Sequence, residues 1–194
     1  NSTAALWNSS ASAASFAGTL TLGGSLNIGG YGDITLSGAL VSAASLALTK
    51  VSPNTVTLQP SSNALTGNVT VSAGVLRQGV ANATGTGVLT VSSGAVLDLN
   101  GFNSNATVFL AGSGFGGSGN VTGLGSVSSL GALINTSSNA ATLGGSLVLS
   151  AASSVGSNFI NAASGVTGGG SLSVTGTISG GFLLTKVGGN TLVL

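Results

Sequence analysis

Small polar and branched apolar residues alternate along most of this chain. Thr19-Leu20-Thr21-Leu22, Ser25-Leu26-Asn27-Ile28, Asp33-Ile34-Thr35-Leu36, Asn68-Val69-Thr70-Val71 and Ser171-Leu172-Ser173-Val174 each repeat every second residue, the period of a strand with one face buried. Glycine follows these runs closely, at Gly23-Gly24, Gly29-Gly30, Gly38, Gly74, Gly94, Gly101, Gly144-Gly145 and Gly180-Gly181, where it is expected to supply the positive φ of tight corners. Short strands should therefore meet sharp turns every ~6 to 13 residues. Helix is not expected, because Gly, Ser, Thr, Asn and Val are weak helix formers and no long 3.6-residue apolar stripe survives the glycines. The Ala-rich pieces 11–14 and 43–47 read as loop or strand, with a turn of helix as the alternative. The alternation predicts that Leu20, Leu22, Leu26, Ile28, Val69, Val71, Leu89, Val91, Leu97 and Leu99 point inward, and that Thr19, Thr21, Asn27, Thr70 and Asp98 point outward. A one-residue slip would reverse every face.

One segment occurs twice. Leu48-Thr49-Lys50-Val51-Ser52-Pro53-Asn54-Thr55-Val56-Thr57-Leu58 returns as Leu184-Thr185-Lys186-Val187-Gly188-Gly189-Asn190-Thr191-Leu192-Val193-Leu194, a strand, a turn and a strand. Two of the three basic residues hold the same place in the two copies, so the repeat is genuine, and repeats of this kind stack. The fold expected is all-β, a β-solenoid (parallel β-helix-like) of roughly eight or nine short coils, forming one domain over residues 1–194 with repeat-like segments at 48–76, 87–103 and 182–194. A coil of ~20 to 25 residues and a rise of ~4.8 Å give a rod about 40 Å long. The alternative is a β-sandwich, which would ordinarily carry longer strands, more aromatic core and more outward charge. The Gly-rich stretch 112–119 reads as a loop between coils, with Phe115 at its tip in the functional version of that reading.

Composition narrows the chemistry. The chain has no His, Cys or Met, two acids (Asp33, Asp98) and three bases (Lys50, Arg77, Lys186), which leaves few candidates for acid–base, metal or nucleophilic roles. No catalytic, cofactor-binding or metal-binding residue is singled out, no cofactor is expected, and an enzyme is not expected. Asp33 and Asp98 stand beside turn residues and read as Asx-type hydrogen bonders; replacing both by Asn is expected to leave folding nearly unchanged. Asp98 is expected to meet Arg77, one coil earlier, as a surface ion pair. Trp7 and Tyr31 read as isolated packing residues. A net charge of +1 offers no basic stripe for nucleic acid or anionic lipid, and no run approaches the ~18 apolar residues of a membrane-spanning helix. The chain begins at Asn1 without Met or a charged and apolar leader, and the expectation is that a signal segment has been removed after secretion.

The residues also resemble a known family. Leu48 to Leu58 followed by Leu65-Thr66-Gly67-Asn68-Val69-Thr70-Val71-Ser72-Ala73-Gly74-Val75-Leu76 is similar to the autotransporter-associated β-strand repeat of bacterial passenger domains, whose usual form is a strand ending in LTK, a Gly-rich turn, a TLxL strand, a TG and a closing SAGxL. Gly87 to Asn103 resembles the LTVxSGAxLDLNGFN stretch that commonly follows. Pro53 stands where Gly is usual, which bears on the turn type of that corner, and Leu65 replaces an aromatic. The resemblance implies a secreted β-helical protein of the cell surface, with a role in adhesion, surface structure or display and no common active site. It implies an extracellular, cell-surface location. The further set of ~10-residue strands with aromatic girdles that a translocator barrel needs is not read in these residues, so passenger or surface-fibre material is what is expected of them.

Three functions fit these residues unequally. A structural subunit of an extracellular fibre, sheath or matrix, self-associating by solenoid stacking, leads. An adhesin or passenger segment touching glycan or another surface is second; an ice-binding version is weakened by uneven spacing of Thr19/Thr21, Thr55/Thr57, Thr84/Thr86 and Thr175/Thr177. A β-helical lyase or hydrolase would need clustered charges that five charged residues do not supply. Leu194 stops where the first copy continues, and the expectation is that this open end is covered either by further polypeptide beyond Leu194 or by head-to-tail pairing with the N-terminal coil of a next subunit, around Trp7 to Leu22.

Overall fold

A computed structural model describes residues 4–42, 46–59, 65–85, 87–115, 131–156 and 170–194, together with the backbone of 118–121, 125–128, 160–161 and 166–167. Residues 43–45 of the second Ala-rich piece and 116–117 of the Gly-rich stretch lie outside this set. All regular structure among the described residues is β, wound as a parallel solenoid.

Each turn visits up to three faces in order. The first two turns are β1 (Leu6–Asn8), β2 (Ala14–Phe16), β3 (Leu20–Leu22) and β4 (Leu26–Gly30), β5 (Ile34–Leu36), β6 (Leu40–Ser42). Three shorter sets follow, with strands on two faces: β7 (Leu48–Lys50) and β8 (Thr55–Leu58), β9 (Val69–Val71) and β10 (Gly74–Gln78), β11 (Leu89–Val91) and β12 (Ala95–Asp98). Next come β13 (Val108–Gly112), an antiparallel hairpin of β14 (Ser118–Val121) and β15 (Gly125–Ser128), then β16 (Leu133–Ile134) and β17 (Ala141–Leu143). The nine-residue β18 (Leu147–Val155) precedes a second hairpin of β19 (Ile160–Asn161) and β20 (Val166–Thr167), then β21 (Leu172–Val174). A closing passage holds β22 (Ile178–Ser179), β23 (Leu184–Lys186) and β24 (Leu192–Val193).

The first face stacks β1, β4, β7, β9, β11, β13, β18 and β22 in parallel; the second stacks β2, β5, β8, β10, β12, β16, β18 and β23. The two join in one sheet because β18 rounds the corner unbroken, its Leu147–Leu149 half on the first face and its Ser153–Val155 half on the second. Among the described residues the third face is stranded at its two ends, by β3 with β6 and by β17, β21 and β24. From β1 to β22 the rod makes about seven turns, against the eight or nine expected. At ~4.8 Å per step that is roughly 34 Å. The difference lies in the hairpins. Register partners Leu6, Ile28, Lys50, Val71, Val91 and Leu110 are 19 to 22 residues apart, but Leu110 meets Leu149, 39 residues on, and Leu147 meets Ile178, 31 residues on.

Period two positions the core as expected. Leu22, Leu26, Ile28, Val69, Val71, Leu89, Val91, Leu97 and Leu99 are buried, and Leu20 packs half-buried against them. Columns such as Leu26, Leu48, Val69, Leu89, Val108 and Leu147 fill the interior one residue per step, and each fully buried side chain contributes on the order of 1.5–3 kcal/mol. The corner glycines serve two purposes rather than one. Gly74, Gly94, Gly101 and Gly180 have positive φ, whereas Gly29 and Gly30 lie within β4, where a Cβ would run into the carbonyls of Val51 and Asn8 on neighbouring turns. The close approach of stacked backbones demands glycine there.

Candidate functional site: polar corners of the solenoid

Lys50 shares its strand parity with Leu48 and therefore faces the interior. It occupies the column Leu6, Ile28, Lys50, Val71, Val91, Leu110, Leu149 and is fully buried. Its Nζ donates to the carbonyls of Val51 (2.7 Å), Ser52 (2.7 Å) and, from the next turn, Ala73 (3.1 Å). Three N–H groups thus meet three carbonyls that the corner leaves without sheet partners. Burial pushes the ammonium down to about 7, against a smaller upward pull from Asp33.

Lys186 repeats the arrangement locally, donating to Val187 O (2.8 Å) and Gly188 O (2.6 Å), with its pKa lowered by desolvation. The rest of the motif repeats too. Asn54 Nδ2 reaches back 22 residues to Gly32 O at 2.8 Å, and Asn190 Nδ2 reaches back 20 residues to Gly170 O at 3.5 Å. Ser52 (φ 75°) and Gly188 (φ 72°) are the equivalent left-handed residues, so Pro53 follows the same bend with a serine taking the strained place. The two copies nevertheless stand on different corners. Lys50 ends a first-face strand and leads to β8 on the second, whereas Lys186 ends a second-face strand and leads to β24 on the third. The motif encodes a corner, not a position along the coil.

A second polar knot surrounds Asp98. Alternation puts it outward, as expected, yet it is fully buried, which corrects the expectation of exposure. The cover is a segment 38 residues later: Thr136 donates to Asp98 through its Oγ1 (2.6 Å) and its N–H (3.2 Å). Arg77 Nε (2.8 Å) and Asn100 N–H (2.9 Å) complete four hydrogen bonds to one carboxylate. The Arg77–Asp98 pair is present, but buried rather than on the surface. Next to it Asn135 accepts from Gly101 N–H and Ser137 N–H and donates to the carbonyls of Asn139, Gly170 and Ser171. Asp33 accepts from Thr55 N–H at 2.8 Å across one step. Three steps, roughly 14 Å, separate the turns carrying Asp33 and Asp98, beyond the ~5–9.5 Å of a glycosidase carboxylate pair.

Apolar features outside the main core complete the picture. Trp7 and Tyr31, expected to be isolated, form an edge-to-face pair with centroids 5.6 Å apart and 81° between rings, and both are exposed. Leu6, Trp7, Ala14, Phe16 and Ile34 help to line a cavity of about 260 Å³ at that end of the rod. Phe115 is not a free tip. It packs half-buried on the outward side chains of Val75, Val96 and Ile134, a small second core on the second face. Outward threonines Thr49, Thr70 and Thr90 stack in register on the first face.

Sequence reasoning missed the corner roles of Lys50, Asn54, Asn135 and Thr136. For Lys50 a signal existed, since alternation places it with Leu48. Comparison with protein-family models, curated proteins and solved structures finds no match. Among the described residues no helix is long and apolar enough to cross a membrane.

Proposed function

We propose that this chain is a structural, non-enzymatic segment of a secreted cell-surface protein, its solenoid serving as a rod in an extracellular fibre, sheath or matrix that grows by self-association. The observation that carries the reading is the use of polar side chains: Lys50, Asp33, Arg77, Asp98, Asn54 and Asn135 direct their hydrogen bonds to the solenoid's own corners and to each other. Groups committed in this way hold shape. With Lys50 buried and Arg77 paired, Lys186 is the one base left to meet phosphate, so nucleic acid is a poor partner. The likeness of 48–76 to autotransporter repeats supports an extracellular location.

The Thr49–Thr70–Thr90 ladder and the exposed Trp7–Tyr31 pair favour a second reading, an adhesin segment contacting glycan or another surface. Immunogold labelling of intact source cells tests the first reading: label on surface fibres or sheath is expected, and label confined to the cytoplasm overturns it. Retention of the purified chain on a glycan array, lost in Trp7→Ala, would favour the second.

A further inference from the structure

The corner after β12 is turned by two consecutive left-handed residues, Asn100 (φ 49°) and Gly101 (φ 81°). Backbone geometry selects both. Asparagine is among the few side chains that accept a left-handed φ, and a Cβ on residue 101 would come within 2.6 Å of Ser137 Oγ and 2.8 Å of Ser137 Cβ, so glycine is required there. The fold thereby sets the one Asn–Gly step of the sequence at this corner. That step carries a chemistry of its own, because a following glycine lets the peptide nitrogen reach the asparagine carboxamide carbon and close a succinimide ring.

The structure holds both reacting groups elsewhere. Gly101 N–H donates to Asn135 Oδ1 at 2.8 Å, and Asn100 Nδ2 donates to Gln78 O, on the preceding turn, at 2.9 Å. The orientation of Asn135 is itself fixed: its Nδ2 is turned to the carbonyls of Asn139 (2.8 Å), Ser171 (3.0 Å) and Gly170 (3.2 Å), which leaves Oδ1 facing Gly101. The adjacent Thr136 is anchored on Asp98. We propose that Asn100 is a site of succinimide formation that Asn135 keeps closed, so that the corner is modified only when segment 135–139 lifts away, and that the modified corner does not take the segment back.

The reaction needs only these atoms and water. Once Asn135 withdraws, hydroxide takes the Gly101 amide proton, the nitrogen bonds to Asn100 Cγ, and the Cγ–Nδ2 bond breaks to release ammonia. Water then opens the ring at either carbonyl. Opening at Cγ leaves aspartate; opening at the main-chain carbonyl leaves isoaspartate, with one more methylene in the backbone. Nothing is oxidised or reduced. Both products oppose closure. In aspartate a second carboxylate lies beside Asp98, whose Oδ1 accepts from Asn100 N–H at 2.9 Å, and an acceptor replaces the donor to Gln78 O. Isoaspartate lengthens the backbone beside Ser137, whose side chain already excludes a Cβ at residue 101. Because Thr136 leaves together with Asn135, the modification makes a transient opening over Asp98 permanent.

The test follows Asn100 by peptide mass spectrometry in the purified 194-residue chain, incubated folded and in urea at the same mildly alkaline pH. The folded chain should form aspartate and isoaspartate about tenfold or more slowly than the unfolded one, in proportion to the protection of the Gly101 amide against hydrogen exchange. Asn82, also left-handed (φ 55°) but followed by Ala83, should lag behind Asn100 in urea. Asn135→Ala should speed modification of the folded chain by about tenfold, and Asn100→Gly should abolish it with unchanged circular dichroism. Modified chain, separated by its added negative charge, should exchange amides of 135–139 faster than unmodified chain. Should Asn135→Ala fail to fold, the match between wild-type modification and Gly101 exchange tests the guard without it. Modification of the folded chain at the unfolded rate, a rate unrelated to Gly101 exchange, or Asn82 keeping pace with Asn100 in urea overturns the inference. So does a folded Asn135→Ala no faster than wild type, or a modified chain with full protection at 135–139.

Discussion

Lys50 sits where alternation otherwise places leucine, isoleucine or valine, and its ammonium is lodged in a ring of three carbonyls. Its folded pKa of about 7 lies below the usual 10.5. Between these values the unfolded chain holds a proton that the folded chain has released, so unfolding free energy rises with pH, by at most about 1.4 kcal/mol per unit. The thermal midpoint should therefore climb from pH 7 to pH 10, and most of that climb should vanish in Lys50→Met, as read by calorimetry of both proteins. Asp98 gives a different outcome from the near-neutral substitution that sequence alone suggested. Asp98→Asn removes the charge from a buried partner of Arg77, and the loss should be on the order of 3–5 kcal/mol; denaturant unfolding measures it. Replacing the pair together, as Arg77→Met with Asp98→Leu, should recover only part of the loss, because Thr136 Oγ1–H, Thr136 N–H and Asn100 N–H lose their acceptor.

Strands here are too short to be stable alone, and each depends on its stacked neighbours and on what covers its outer side. Phe115 provides cover for Val75, Val96 and Ile134. Phe115→Ala should raise hydrogen exchange in β16 by about tenfold or more while β9 and β11, on the first face, keep their protection; equal protection of β16 in the two proteins would count against the outer core. The same elements mark where the sequence could be read and where it could not. Leu26, Leu48, Val69 and Leu89 declare their column through local period two, and the Arg77–Asp98 contact follows from adding one coil length. Burial of Asp98 depends on Thr136, which returns only after an inserted hairpin, and no local pattern carries that information. The hairpins themselves were hidden because Gly and Ser signal a turn whether the chain then projects or continues. The corner on which the second Leu-Thr-Lys copy stands was equally hidden, because the insertions before it shift the phase.

At the scale of the whole rod, the unequal chain lengths between stacked partners have a mechanical meaning. Contacts join nearest turns, so a rod drawn out from its ends releases them one after another. Each release shortens the folded lattice by the same ~4.8 Å. The contour length set free is not the same: a turn of 19 to 22 residues yields roughly 65–75 Å of extended chain, and the 39- and 31-residue passages yield about 130 and 105 Å. Slack is therefore stored unevenly in an evenly spaced object, concentrated near β18, and a rod built this way gives ground in small increments from its first turns and in long ones from its last.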